Sequence, residues 1–348
     1  MSLIAQAFRM PRRALGRIRR QLTQHQRTTF LLASGLSTAG SFAGLTAKGW
    51  LLMEGSGNPF LLAANFALLT LPTLLVDEPE QLGPYLASFS VIFNVGKLVG
   101  PPIGGLLLAA TGPTLALSLD AATYLLPILT LLWLMAPYRE RERRSASGSG
   151  ASLATAWRDC GPALRHVLVF CGLACLVGFF HPGLAPLMAL NLLGPSPLAL
   201  GLFTSVIACG SISAGVVLQR NAQLWSRRPG LLLGGSTVIT ALGQLGLSLQ
   251  APQQWGLAMA FLIGGGTASL LAGTNLIIQV HAPQVIRGRM AGLGQIAFLG
   301  GGGISGLMAA GLTAWLPGGL WSCFALLGSF GAALGVVELL RQGRTRLA

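Results

Sequence analysis

Gly96-Lys-Leu-Val-Gly100-Pro101-Pro-Ile-Gly104-Gly105-Leu-Leu-Leu-Ala-Ala110 closes an apolar run that starts near residue 84 and carries one charge, Lys97. At 1.5 Å per residue a helix of this length crosses a hydrocarbon layer about 30 Å thick. In a polar chain its glycines and prolines would signal a turn. Within an apolar run they let helices approach closely. Gly96, Gly100 and Gly104 recur every four residues and, with Gly105, predict a flat helix face. Pro101 removes a backbone hydrogen bond and predicts a kink. A kinked, glycine-faced helix can pack tightly and pivot. The plainer alternative is an ordinary small-residue contact, which four-residue spacing alone often marks.

Working outward, nine further runs qualify as spans, giving approximately 30–53, 59–76, 84–110, 114–136, 167–190, 198–218, 230–249, 256–278, 290–315 and 320–340. The composition agrees: 52% of the 348 residues are hydrophobic and 9% charged, against about 25% charged in soluble domains. A water-soluble fold could not cover that much apolar surface. The runs are too long and lack the alternation of membrane strands. The expectation is an all-α polytopic membrane protein with about ten helices in two bundles, four plus six.

Lysine and arginine set its orientation. With the N-terminus inside, the predicted cytoplasmic segments hold 21 of the 23 basic residues, and the remaining two, Lys48 and Lys97, lie within helices. The outer connectors hold none. One inner connector, 77–83, is acidic, which counts for little in this rule. Trp50, Trp255, Trp315 and Trp321 fall near predicted outer helix ends, as an interfacial belt requires. Both termini are therefore expected in the cytoplasm. A net charge of +14 would suggest nucleic acid, but these charges sit in short connectors, so no nucleic-acid partner is expected.

The domain reading follows. Residues 1–29 form a basic arm resting on anionic lipid, with no signal-peptide pattern. Residues 30–136 form a shortened N-terminal bundle, 137–166 a cytoplasmic linker, 167–340 a six-helix bundle and 341–348 a tail. The linker runs from charge into Ser/Gly, the composition of a solvated connector. Its end, 151–166, is expected to lie on the membrane surface with Trp157 toward lipid. An internal echo supports two halves: Gly100-Pro-Pro-Ile-Gly-Gly-Leu-Leu107 aligns with Gly301-Gly-Gly-Ile-Ser-Gly-Leu-Met308 at an offset of 201. Paired repeats of this kind build many secondary transporters. Cys171 and Cys175, four apart on one helix face, read as packing residues rather than redox partners.

The run Gly96 to Gly105 is similar to the fifth-helix antiporter motif of the major facilitator superfamily. Leu71–Leu82 with Phe93-Asn94 resembles the approach to that helix, Leu119-Asp120-Ala121 with Tyr124 the sixth helix, and Arg287-Gly288-Arg289-Met290 the connector before the eleventh. The likeness runs from about 30 to 340, toward the branch that includes enterobactin and macrolide exporters. It implies a secondary active transporter in the bacterial inner membrane that expels a small amphipathic molecule by alternating access. The antiporter-like motif implies coupling to protons. The chain departs from the family in having four spans before the linker instead of six. The glycine-aspartate-arginine loop between the second and third helices is also missing. That departure keeps open a second reading, a truncated, non-transporting remnant. A ten-helix transporter of two five-helix repeats fits less well, because the echo joins the third and ninth spans.

Charge inside a bilayer is expensive and marks candidate sites. Asp120 lies about six residues inside its helix and is the first candidate for proton coupling. Lys97 lies in the preceding antiparallel helix, where a Lys97–Asp120 pair is conceivable, either structural or coupling. Lys48 reads as a snorkelling side chain. His181, beside Pro182, titrates near neutrality in its unperturbed form, though packing is its plainer role. Arg287 and Arg289 anchor topology or pair with helix ends. No nucleophilic triad, zinc set or phosphate loop is present, so neither enzyme activity nor a cofactor or metal is expected. The partners are the bilayer, a small-molecule substrate and protons.

Overall fold

The computed structural model describes residues 26–70, 99–125, 128–129 and 153–341, and every regular element among them is a helix. The first half holds α1 (Gln26–Ser56), α2 (Pro59–Thr70), α3 (Val99–Thr111) and α4 (Pro113–Thr123). The second holds α5 (Leu153–Asp159), α6 (Pro162–Gly178), α7 (His181–Leu193), α8 (Pro197–Arg220), α9 (Ala222–Arg227), α10 (Pro229–Ser248) and α11 (Gln253–His281). It ends with α12 (Arg287–Gln295), a π-helical turn (Ile296–Gly300), α13 (Gly301–Trp315) and α14 (Gly319–Arg341). Gly96, Lys97, the approach 71–94, the linker 137–152, the arm 1–25 and the tail 342–348 lie outside the described residues.

Among the described residues, six helices are long and apolar enough to cross a membrane: Pro162–Leu193, Pro197–Arg220, Pro229–Ser248, Gln253–His281, Arg287–Trp315 and Gly319–Arg341. They fall on the six runs expected after the linker. The first begins at Pro162 rather than 167, because the surface helix expected over 151–166 stops at Asp159. Arg165 explains the stop, donating to the carbonyls of Trp157 (3.0 Å) and Arg158 (2.5 Å), which the end of α5 leaves open. Trp157 is exposed on this short helix.

Prolines at the first turn start α4, α6, α7, α8 and α10, where a missing N–H costs nothing. The Ser196 hydroxyl accepts from the N–H of Leu198 (3.2 Å) and caps α8. Gly112 (φ 78°) and Gly194 (φ 91°) turn the chain sharply between spans, in a backbone region that disfavours side chains.

Glycines then set how closely the helices pack. A methyl group on Gly234 would stand 2.8 Å from the Gly335 carbonyl, and one on Gly335 2.9 Å from the Gly234 carbonyl, so α10 and α14 touch backbone to backbone. Gly210 and Gly264 do the same between α8 and α11. In the first half Gly100 lies against the Ala39 carbonyl and Gly104 against Ala43 (2.5 Å to its carbonyl), so the flat face read from the sequence is the face α3 turns to α1. Gly105 belongs to a second face. Its methyl would stand 2.6 Å from the Pro197 carbonyl, while Gly201 of α8 reaches the Pro101 carbonyl at 2.8 Å.

Two apolar cores result. One draws on both halves, joining Ala47, Trp50, Leu62, Ala63, Leu108 and Ala116 to Phe180, Leu184, Met188, Phe203 and Phe324. The other belongs to the second half, and among the described residues Phe66 alone represents the first half in it. The halves are fused toward the end of the molecule that carries Gly112 and Gly194.

Candidate functional site

Where the halves meet, α1, α2 and α3 face α7 and α8 across a cavity of about 720 Å³, counted out to its open mouth. The first half supplies Phe42, Leu45, Thr46, Gly49, Leu62, Asn65, Phe66 and Pro101. The second supplies His181, Pro182, Gly183, Ala185, Pro186, Leu200, Thr204 and Ile207. Both halves thus build the wall in equal share.

The wall is apolar, with Thr46, Asn65, His181 and Thr204 as its polar members and no formal charge among the described lining residues. Thr46 donates its hydroxyl proton to the Phe42 carbonyl (2.9 Å), and Thr204 to that of Leu200 (2.8 Å). Both oxygens therefore offer lone pairs to a guest, so each acts as an acceptor. His181 is buried, 2% exposed, with its ring edge-on to Phe179 at 5.2 Å. Phe179 in turn stacks 4.3 Å from Phe298 of the π-helical turn and 6.0 Å from Phe66 across the seam. Gly302 makes room for the Phe179 ring: a methyl there would collide with it.

Of the residues singled out for coupling, His181 stands in the cavity wall. Asp120 does not. It lies in the α1–α4 seam, 5% exposed, in a recess that Gly44 provides. Its Oδ2 is 3.5 Å from Lys48 Nζ, and its Oδ1 has no hydrogen-bonding partner among the described residues. Lys48, half exposed, is thus more than a snorkelling side chain, while the pair imagined with Lys97 involves a residue outside the described ones. Ser41 and Tyr124 share a 2.9 Å hydrogen bond one turn along the same seam.

The motif residues divide by face. Gly100 and Gly104 pack on α1, Gly105 on α8, and Pro101 reaches the cavity. In the connector, Arg287 donates to the Ala282 carbonyl through Nε (3.2 Å) and Nη2 (3.1 Å), closing the end of α11. Gly288 and Arg289 follow it in the first turn of α12 and have no contact with the cavity. Cys171 and Cys175 are fully buried side by side in the second core.

One pair, a buried Glu338 with a partly exposed His166, escaped the sequence reading. His166 Nε2 lies 2.9 Å from both carboxylate oxygens of Glu338, joining the start of α6 to the end of α14. The signal was available, since Glu338 is the sole acid after Asp159 and interrupts an apolar run. A carboxylate in such a place requires a partner.

A family model described as transmembrane secretion effector matches residues 78–339. The chain is 26% identical over 319 residues to the multidrug efflux pump Tap of Mycolicibacterium fortuitum, an alignment that takes in 88% of this chain and 70% of that one. Its fold is similar to that of the nucleoside transporter NupG, with a TM-score of 0.57 at 12% identity over 92% of this chain and 96% of the other. It is also similar to that of a POT family transporter solved with 5-aminolevulinic acid, with a TM-score of 0.55 at 12% identity over 91% and 88%.

Proposed function

Since the chain belongs to the transmembrane secretion effector family of the major facilitator superfamily, we propose that it is a secondary active exporter of a small amphipathic molecule, coupled to protons and working by alternating access. The observation that carries this reading is the cavity whose wall both halves build. A site shared between two bundles changes its exposure when the bundles rock. The 26% identity to a multidrug efflux pump supports export over uptake.

The cavity chemistry supports an uncharged or weakly polar guest. Phe42, Phe66, Leu200 and Ile207 bury its apolar surface, while Thr46 and Thr204 accept hydrogen bonds from it. Asp120, buried beside Lys48 and away from the guest, is the proposed proton carrier, with His181 relaying the cavity's state. The segregation of lysine and arginine supports placing the Arg227–Arg228 end and both termini in the cytoplasm of a bacterial inner membrane. In that orientation the shared apolar core seals the outer side, and the cavity belongs to an inward-facing state.

On this reading the protein has ten spans, with α1 to α4 marking the four of the first half. One feature favours the rival reading of a non-transporting remnant: four runs precede the linker where the superfamily has six. Accumulation of dyes, macrolides and siderophores in an efflux-deficient bacterium separates the two. At normal membrane levels an exporter lowers at least one compound, a protonophore erases the effect, and Asp120→Asn weakens it. Lowering that ignores the proton gradient would sink the coupling, and no lowering across the panel would favour the remnant.

A further inference from the structure

The span Pro162–Leu193 is two helices, because Phe179 and Phe180 leave the helix between α6 and α7. In an unbroken helix the carbonyls of Leu176, Val177 and Gly178 would accept from the N–H groups of residues 180, 181 and 182. Pro182 has no N–H to give, and its ring would crowd the Gly178 carbonyl. All three carbonyls are instead satisfied from other helices. Ser305 of α13 donates to Leu176 (2.7 Å), and the Gln244 amide of α10 donates to Val177 (3.3 Å) and Gly178 (3.1 Å). Ser305 and Gln244 are fully buried.

The two arms of this span are held differently: α6 packs on the second half, whereas α7 packs on both halves. The α6 arm is tied to the second half by these bonds and by His166–Glu338. The α7 arm carries cavity wall and meets the first half closely: a methyl on Gly49 would stand 2.9 Å from Pro186, and one on Gly183 3.2 Å from Ala63. We propose that Gln244 and Ser305 are positioning residues that make Phe179–Phe180 a hinge. The hinge lets α7, with His181, follow the first half while α6 stays with the second. Side chains from two neighbouring helices hold the break open, so α7 can turn without unsatisfying a backbone group inside the bilayer.

The inference rests on the transporter reading for its use, but its test needs no transport. Nitroxides carried by an unnatural amino acid leave the five native cysteines in place. They are set at Val280 of α11 with either Val169 of α6 or Asn191 of α7, in the full chain in lipid nanodiscs. Pulsed electron resonance then gives each distance distribution. In the variant Gln244→Met with Ser305→Ala, whose side chains keep similar bulk but donate nothing, the Asn191–Val280 distribution narrows to roughly half its width, as an arm that has lost its hinge requires. The Val169–Val280 distribution keeps its width. Two unchanged distributions would overturn the proposal, since the caps would then position nothing. Equal broadening of both would also overturn it, since the span would then move or unravel as one rod. If the double variant fails to reach the membrane, Ser305→Ala alone carries the same comparison with one bond removed.

Discussion

α3 and α13 hold corresponding places in the two halves, and their differences show where this molecule is rigid and where it can part. They are the helices of the 201-residue echo. Within its own half each packs on the first helix: α3 on α1 through Gly100 and Gly104, α13 on α6 through Gly301 and Ser305. Across the seam each touches the other half: Gly105 meets α8, and Gly306 meets Ala63 of α2. The fit differs. A methyl on Gly105 would lie 2.6 Å from a carbonyl, whereas one on Gly306 would lie 3.8 Å from Ala63 Cβ, an ordinary contact. Within the halves, Gly104 allows backbone contact with an α1 that runs unbroken over 31 residues. Ser305, its counterpart, donates a hydrogen bond to a helix that is broken. One side of the molecule is thus joined by close backbone contact, the other by side chains at a looser seam.

Substitutions can break or sharpen that comparison. Gly105→Ala forces α3 from α8 and is expected to cost about 2 kcal/mol, in the overpacking range, while Gly306→Ala stays within about 0.5 kcal/mol. Thermal midpoints of the detergent-purified proteins check the contrast, and equal losses would remove the asymmetry. Glu338→Ala takes the partner from His166, whose side chain is 39% exposed, and is expected to cost about 1–1.5 kcal/mol, a charged hydrogen bond discounted for solvent screening. Replacing both residues by leucine should recover most of that in the same assay. Ser305→Ala removes one neutral hydrogen bond and is expected to cost about 1 kcal/mol. Lys48→Met leaves the Asp120 carboxylate, 5% exposed, without its described partner, but the contact is long and Lys48 itself half exposed. Its effect on the midpoint corresponds to about 1 kcal/mol, and adding Asp120→Asn should recover most of it.

Much of this arrangement could be read from the chain. Each of the six runs after the linker is a helical segment of spanning length, the first of them broken at 179–180, because an apolar stretch that long has few alternatives. The four-residue spacing of Gly100 and Gly104 gave the α1-facing side of α3, since helical period and close packing are both local properties. The second face, with Gly105 against Pro197, was not legible, because nothing local says which distant helix arrives there. The same holds for Asp120. Its depth in the helix was plain, but its contact with Lys48 was not, because that depends on the recess that Gly44 opens on α1, and Lys97 lies outside the described residues. The break at 179–180 is partly written in Pro182. That Ser305 and Gln244 would satisfy the freed carbonyls depends on tertiary contact alone.

The most direct test of the central claim fills the cavity that both halves build. Thr204→Trp places an indole among Thr46, Leu200 and His181, whereas Gly311→Trp adds the same ring at an exposed position of α13 with nothing within 4 Å. Both are compared with the unaltered chain for accumulation of the compound panel in an efflux-deficient bacterium, at matched membrane levels. The account predicts that the unaltered chain and Gly311→Trp lower accumulation of the same compound and that Thr204→Trp does not. Lowering that persists undiminished in Thr204→Trp would contradict it, because the substrate would then pass elsewhere.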